Sequence, residues 1–494
     1  MNRFVFCIAL MMIGSTAAAA PAEKPNLLFV LVDQWRGQAM GFVGVEPVIT
    51  PNLDKFSAQA LVLPQAVSNF PVCSPYRGML MTGKYPHANK VISNCNSRTA
   101  PHNVKLQKNA RCWSDVLAGH DYSLGYIGKW HLEAPYKPYV KSYNNSEKFA
   151  WNEWTPPDRR HGFDFWYAYN TFDRHLSPEY WSTDMTRDQR AKIKQWGPEH
   201  EADLAINFIK NSEGKYRKAN HPFALVVSMN PPHTPYGAVP KRYVERYRHL
   251  TDEQLVARRP NVMPIKTRWG DYYRKNVRNY YAQITGVDEQ FGRILAALKQ
   301  TGADKNTLVI FTADHGNCLG AHGMVTKNNH FEESMRIPLM VRMPGRIKPR
   351  HDNLLISVPD MYPTMLDLMG FGADVPADLH GVSHARLFVT GQGPRPTSQM
   401  YIYIPYDAPG HGRRGVRTER YTIVLSRLTE KSKVTDASAG YPNGFDKVVL
   451  YDNQADPYQL KDLAKSHPQL VKQLIDEHLN PWLKRTGDPW PRAK

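Results

Sequence analysis

Past its first twenty residues the sequence has no apolar run long enough to span a bilayer; runs such as Leu27–Val32 and Ala224–Val227 have the length of strands. No transmembrane helix is expected. Cysteine is scarce, five in 494 residues, and Cys7 falls inside the leading apolar stretch. The other four, Cys73, Cys95, Cys112 and Cys318, show neither metal-ligand spacing nor the density of a disulfide scaffold, although a Cys95–Cys112 pair is sterically conceivable. Internal repeats and low-complexity tracts are also missing, which excludes a solenoid. Acid is in deficit: 45 Asp and Glu face 63 Lys and Arg, a formal charge of +18. That balance suits an anionic partner. The basic residues are spread along the chain with no nucleic-acid motif, so a polyanionic glycan fits better than DNA or RNA.

Residues 1–20 pass from Arg3 through apolar Phe4–Ile13 to the small residues Thr16–Ala20, the layout of a secretory signal peptide, so an exported, periplasmic or secreted, protein is expected. The length suggests two unequal domains, which the texture of the sequence places at 21–390 and 391–494. Leu27–Val32 is a continuous apolar run, as in a parallel strand buried on both faces, and it ends at Asp33-Gln34. Leu124–Ile127 leads into Gly-Lys-Trp-His, Phe223–Met229 into Asn-Pro-Pro-His, and Thr307–Thr312 into Asp-His-Gly. Each strand thus delivers polar groups at its carboxyl end, where open α/β sheets gather their ligands. Helical spacing at Glu201–Lys210 and Tyr280–Lys299 completes an alternation that predicts a doubly wound, mainly parallel α/β sheet flanked by helices. From about Pro394 the pattern changes to short strands at Tyr401–Ile404, Gly415–Val416, Tyr421–Leu425 and Val448–Tyr451, then a helix near Pro468–Leu483. A smaller subdomain with an antiparallel sheet is expected there.

The most informative stretch is Cys73-Ser74-Pro75-Tyr76-Arg77, continued through Leu80, Thr82, Gly83 and Lys84. Its Cys-x-Pro-x-Arg core resembles the sequence at which type I sulfatases, of the alkaline phosphatase superfamily, have a cysteine converted to formylglycine. Gly128-Lys129-Trp130-His131, Asn230-Pro231-Pro232-His233 and the segment from Lys327 to Glu332 resemble further family segments in family order. The resemblance runs from Pro25 to about Leu339 and more loosely through Leu450-Tyr451-Asp452.

Chemistry explains why the cysteine must be converted. A thiolate attacking sulfur would form a thiosulfate ester with no easy exit, whereas an aldehyde hydrate attacks through one hydroxyl and expels sulfate through the other. The resemblance implies a formylglycine formed from Cys73 by a formylglycine-generating enzyme. It gives Arg77 the hydrate, Lys129 the sulfate, His131 the base for sulfate elimination, His233 the general acid at the leaving oxygen and Lys327 the bridging or terminal oxygens. It also implies one divalent cation on Asp33, Gln34, Cys73, Asp314 and His315, with Asp314 doubling as base to the attacking hydroxyl. Gln34 in place of a second Asp, and nitrogen from His315, leave calcium first, with manganese, magnesium or zinc behind it. The aromatic and charged segment from Trp151 to His175 mixes flat faces with hydrogen-bonding groups, so Arg160, Asp173 and His175 are expected to read the substrate. The implied activity is sulfate ester hydrolysis on a sulfated carbohydrate. Two alternatives stay open: a phosphonate or phosphodiester hydrolase of the same superfamily, and a non-catalytic glycan-binding protein.

Overall fold

The protein was described in a computed structural model, which covers residues 24–429 and 445–492; the expected signal peptide lies outside the described residues. Ten strands form one sheet: β1 (Asn26–Val32), β2 (Leu61–Val62), β3 (Ser123–Lys129), β4 (Phe165–Tyr169), β5 (Glu179–Ser182), β6 (Ala191–Lys192), β7 (Phe223–Met229), β8 (Thr307–Ala313), β9 (Leu339–Arg342) and β10 (Arg350–His351). Their order is β10-β2-β9-β8-β1-β7-β3-β4-β5-β6. The central five, β8-β1-β7-β3-β4, are mutually parallel, and antiparallel pairs appear toward both edges. Helices cover both faces of such a sheet, so β1 is shielded on each side and reads as unbroken apolar sequence. The 34-residue helix Arg268–Thr301 is the longest cover; Thr267 caps it by accepting from Gly270 N–H, and Gly302 ends it in the left-handed conformation.

The second sheet is an antiparallel meander of β11 (Ser398–Tyr403), β12 (Gly412–Thr418), β13 (Tyr421–Arg427) and β14 (Lys447–Asp452). It meets the main body through paired polar contacts. Ile402 N–H donates to Asn69 O at 2.8 Å, Asn69 Nδ2 to Met400 O at 2.7 Å, and buried Arg417 grips Glu332 through two bonds of 2.7 and 3.0 Å. The helical tail Pro468–Arg485 packs beside it, with a π-helical turn at Ile475–Leu479. Cys73, Cys95, Cys112 and Cys318 are all free and buried, so the conceivable Cys95–Cys112 bridge is not formed. Among the described residues no helix is long and apolar enough to cross a membrane.

Candidate active site

Parallel register puts the strand ends side by side. Val32 is opposite both Met229 and Ala313, and Gly128 is opposite Ser228, so Asp33, Lys129, Asn230 and Asp314 emerge along one edge of the sheet. Backbone bonds continue the ladder one step beyond, from Asp33 N–H to Met229 O at 3.0 Å and from Asp314 N–H to Val32 O at 3.1 Å. Gly128 has φ of 98°, and a side chain there would meet the Ser228 carbonyl, so only glycine lets β3 approach β7 closely enough. Gln34 and His131 hold left-handed φ values of 66° and 54°, uncommon for such residues and the kind of strain that collects where side chains must be aimed.

Cys73 opens the ten-residue helix Cys73–Thr82 and is only 1 % exposed. Its neighbour Ser74 ties this turn to the third strand's loop by donating to His131 O at 2.6 Å and accepting from Cys95 N–H at 3.0 Å. Around the Cys73 Sγ stand His315 Nε2 at 3.2 Å, Asp33 Oδ1 at 3.7 Å and Lys129 Nζ at 3.9 Å. One turn on, Arg77 donates to Lys129 O (2.6 Å) and Ser228 Oγ (2.8 Å) and pairs with Asp33 (3.3 Å) and Asp314 (3.1 Å). Lys129 Nζ lies 2.7 Å from Asp33 Oδ2 and donates to Asn230 Oδ1 at 3.1 Å. Burial and the Asp33 carboxylate both oppose ionisation of the Cys73 thiol, yet Lys129, Lys327 and His315 together pull its pKa well below the usual range. The site is therefore a pocket of positive field centred on position 73.

A ligand atom from each of Asp33, Cys73, Asp314 and His315 lies within 4.8 Å of the others, and all four residues are buried. His315 Nδ1 faces the Gly316 carbonyl at 2.9 Å, so the N–H points there and the Nε2 lone pair is left for the cluster. Burial, reinforced by nearby Asp33, pushes the Asp314 carboxyl up to about 7, the signature of two carboxylates that need more positive charge between them. The donor set fits a divalent cation. Gln34 lies alongside with its side chain otherwise engaged: its Oε1 accepts from Lys327 at 2.8 Å, its Nε2 donates to Tyr236 Oη at 2.9 Å, and its backbone N–H donates to Asp314 Oδ1 at 3.1 Å.

Two histidines flank position 73 in different states. His131 has both ring nitrogens buried without a hydrogen-bond partner, and burial, with help from Lys129 and against Cys73, drives its pKa down to about 4, so it is neutral. His233 Nε2 faces Lys327 Nζ at 2.9 Å, while its Nδ1 bonds the Thr234 carbonyl at 2.8 Å and lies 3.5 Å from Asp173 Oδ1. Burial, Lys327 and Lys129 all work against its charge, but Asp33 and Asp173 outweigh them and raise its pKa. The pair can hold a proton at the far side of the pocket.

Of the residues expected to read the substrate, only Asp173 touches this constellation, and it does so by orienting His233. Arg160 is 3 % exposed, lies over the Trp166 ring, and donates to the Thr155 and Thr183 carbonyls at 3.1 and 2.8 Å, none of which belongs to the groups around Cys73. His175 is likewise buried; it bonds Thr234 O at 3.3 Å and braces the His233 loop from behind. Asn230, Tyr236 and Ser228 join the site without having been singled out. Asn230 opens the Asn-Pro-Pro-His segment and Tyr236 lies three residues past His233, a proximity that was a usable signal; Ser228 lies inside a strand and carries none.

A mixed sheet of this order, with Asp33, Asp314 and His315 at strand ends facing a thiol at a helix N-terminus, defines a hydrolase of the alkaline phosphatase-like type. Comparison with known proteins makes this specific. The family model described as Sulfatase matches residues 25–371, and that of the N-sulphoglucosamine sulphohydrolase C-terminal region matches 320–484. An endo-4-O-sulfatase of Bacteroides thetaiotaomicron is 38% identical, covering 96% of this chain and 95% of its own, and an ulvan-active sulfatase of Formosa agariphila is 30% identical over 94% and 82%. A solved Bacteroides fragilis structure, described as a candidate sulfatase, superposes with a TM-score of 0.88 at 48% identity, covering 96% of this chain and 98% of that one. The chain belongs to the sulfatase family, and it is a sulfuric ester hydrolase.

Proposed function

We propose that the chain removes sulfate ester groups from a sulfated poly- or oligosaccharide, using a formylglycine made from Cys73 and a cation held by Asp33, Asp314, His315 and the side chain at position 73, with Gln34 beside them. Support for the substrate class comes from the carbohydrate sulfatases among its relatives and from the excess positive charge. The observation that carries the reading is the ring of groups about Cys73. Calcium suits the mainly oxygen donor set best, and when bound the cation draws charge from the sulfuryl oxygens. Arg77 and Lys129 hold the nucleophile and the sulfate in a low-dielectric site, where fixed cations offset charge growing on oxygen. His233, oriented by Asp173 and adjoining Lys327, delivers a proton to the leaving sugar oxygen. Neutral His131 accepts the proton released when sulfate is expelled. Maturation by a formylglycine-generating enzyme follows from the motif, and the charged-then-apolar residues 1–20 support export.

The test is mass spectrometry of the peptide that contains Cys73, coupled to sulfate release. Conversion lowers the peptide by about 18 Da, the difference between a thiol-bearing and an aldehyde side chain. Sulfate release from a sulfated oligosaccharide should then exceed cleavage of a phosphonate ester. The phosphonate reading has a fold-level counterpart in the Agrobacterium radiobacter phosphonate monoester hydrolase, with a TM-score of 0.66 at 22% identity. Faster phosphonate cleavage would replace the sulfatase assignment by that one.

A further inference from the structure

Two exposed arginines belong to segments connected to the pocket, and the surrounding chain treats them alike. Arg174 lies 5.1 Å over the ring of Tyr143, and Arg98 lies 4.7 Å over the ring of Phe149. Both guanidinium groups are on exposed residues, and among the described residues neither has a carboxylate within ion-pair distance. Elsewhere on this surface Arg187, Arg242 and Arg420 combine a ring with an acid: Tyr136 with Glu153, Tyr243 with Glu199, Tyr421 with Asp452. Arg98 and Arg174 have the ring and, among the described residues, lack the acid; exposed Arg268 over Trp269 and Arg485 over Trp482 share that pattern, so what distinguishes the first two is their connection to the groups around Cys73.

Their placement follows from one segment, 140–152, that carries both supporting rings. Asn145 braces it internally, accepting from the Trp151 and Asn152 N–H groups at 2.8 Å each and donating to the Val140 and Asn152 carbonyls at 3.0 and 2.8 Å. At each end a reciprocal pair of bonds fastens the segment to the residue just before an arginine. Asp173 N–H donates to Asn144 Oδ1 (2.9 Å) while Asn144 Nδ2 donates to Asp173 Oδ2 (2.6 Å); Ser97 N–H donates to Ala150 O (2.9 Å) while Ala150 N–H donates to Ser97 Oγ (2.9 Å). Each anchor also leads into the site. Asp173 orients His233, and Phe149 meets Trp151 edge-on at 5.2 Å, which meets the ring of His131 at 6.0 Å. Arg174 thus directly follows the residue that orients His233, and Arg98 is connected to His131 through the Phe149 and Trp151 rings.

A guanidinium already held against a ring loses less conformational freedom when it binds, and its fork of donors matches a carboxylate or sulfate. We propose that Arg98 and Arg174 are flanking anion sites that receive the acidic groups of the sugars on either side of the residue being desulfated. The enzyme then selects a sulfated residue within a polyanionic chain. This rests on the glycan sulfatase reading above and deepens it.

The experiment uses the mature enzyme and its Arg98→Ala and Arg174→Ala variants. Four substrates are compared: a sulfated oligosaccharide with uronate neighbours, the same with carboxyls reduced, the same with sulfate only on the target residue, and a sulfated monosaccharide. Each variant is expected to lose about 10-fold in kcat/KM on the intact oligosaccharide, mainly through KM, as expected for a charge-assisted contact at a solvent-facing site. Removing the partner anion should shrink that loss to under about 2-fold, and whichever stripped substrate does so tells carboxylate from sulfate. The salt dependence of kcat/KM should also flatten in the variants. Unchanged kinetics, or the same loss on all four substrates in properly folded variants, overturns the proposal; Arg98→Gln and Arg174→Gln give the same reading if the alanine variants fold poorly. Failure of the glycan reading looks different: the unmodified sequence itself would release no sulfate from any oligosaccharide while cleaving a phosphonate ester, and the flanking sites would fall with it.

Discussion

Gly316 follows His315, and its backbone is wedged against the chain opposite: its N–H donates to Ser334 O at 2.8 Å, and its carbonyl faces His315 Nδ1 at 2.9 Å. Its φ is not in the left-handed region, so alanine meets no conformational penalty there, and the whole effect of Gly316→Ala is steric. An added Cβ would overlap the Glu333 carbonyl oxygen and sit 2.9 Å from the carbonyl carbon and 3.2 Å from Arg36 Cα. Neither backbone can yield cheaply, because Arg36 and Arg259 are locked to Glu46, and Arg259 also to Glu333, by buried ion pairs. Relief requires the Asp314–Gly316 turn to move by about 1 Å, and a displacement of that size in a catalytic array costs roughly 100-fold in rate. Overpacking itself should cost about 1–3 kcal/mol of stability. The assay is kcat/KM on a sulfate ester with the metal content of the purified protein and thermal unfolding measured in parallel. Gly237→Ala is the control: an added Cβ there meets nothing within 4 Å, so stability should stay within about 0.5 kcal/mol. Gly316→Ala with normal rate and normal metal content would refute the claim that this turn fixes His315.

Two further outcomes follow from buried acids away from the pocket. Glu201, in the helix Gly197–Lys210, is buried, has Oε2 without a partner, and burial pushes its pKa up to about 8 against the opposing bond from Tyr180. The folded protein keeps a proton that the unfolded chain has released, so this contribution to stability is complete below about pH 4 and fades as pH rises to about 8. Glu201→Gln should therefore gain on the parent as pH rises from 5 to 8, by up to something on the order of 4 kcal/mol, read from denaturant unfolding at each pH. A gain independent of pH would contradict the assigned protonation. Arg417→Met strips Glu332 of its bidentate partner and should cost about 3–5 kcal/mol, much of it restored by adding Glu332→Gln, whereas two separate additive losses would show that the pair is not coupled.

The strand ends were legible because burial on both faces leaves an unbroken apolar signature, and because that signature stops where the chain reaches the edge of the sheet. Phe223–Met229 was read with its observed bounds, and Leu27–Val32 and Thr307–Thr312 to within a residue. The order in which these strands pair was not legible, since it depends on which way each crossover packs. The long helix begins at Arg268, well before the periodic stretch from Tyr280, because its first turns carry Arg, Asp and Lys toward solvent. Within the site, Asp33, Cys73, Lys129, His233, Asp314, His315 and Lys327 do converge. Aromatic density looks the same in sequence whether rings face a sugar or one another; here Trp166, under Arg160, packs with Tyr126 and Trp130. The role of Asn145 had no local sign, since it lies in hydrogen bonds that only the folded segment brings together.

Placing β1 between β7 and β8 has a consequence in time. The strand that carries Asp33 is made early, while its two neighbours begin at Phe223 and Thr307, and the walls of the Cys73 pocket come from as far along as Lys327. At about 5–20 residues per second, synthesis leaves an interval of roughly tens of seconds between the emergence of Cys73 and that of its last neighbours. Once the sheet closes the Cys73 sulfur lies behind it, so that interval is the time for which the thiol is open to solvent. The order of strands thus acts as a clock on the exposure of a cysteine that the finished protein hides.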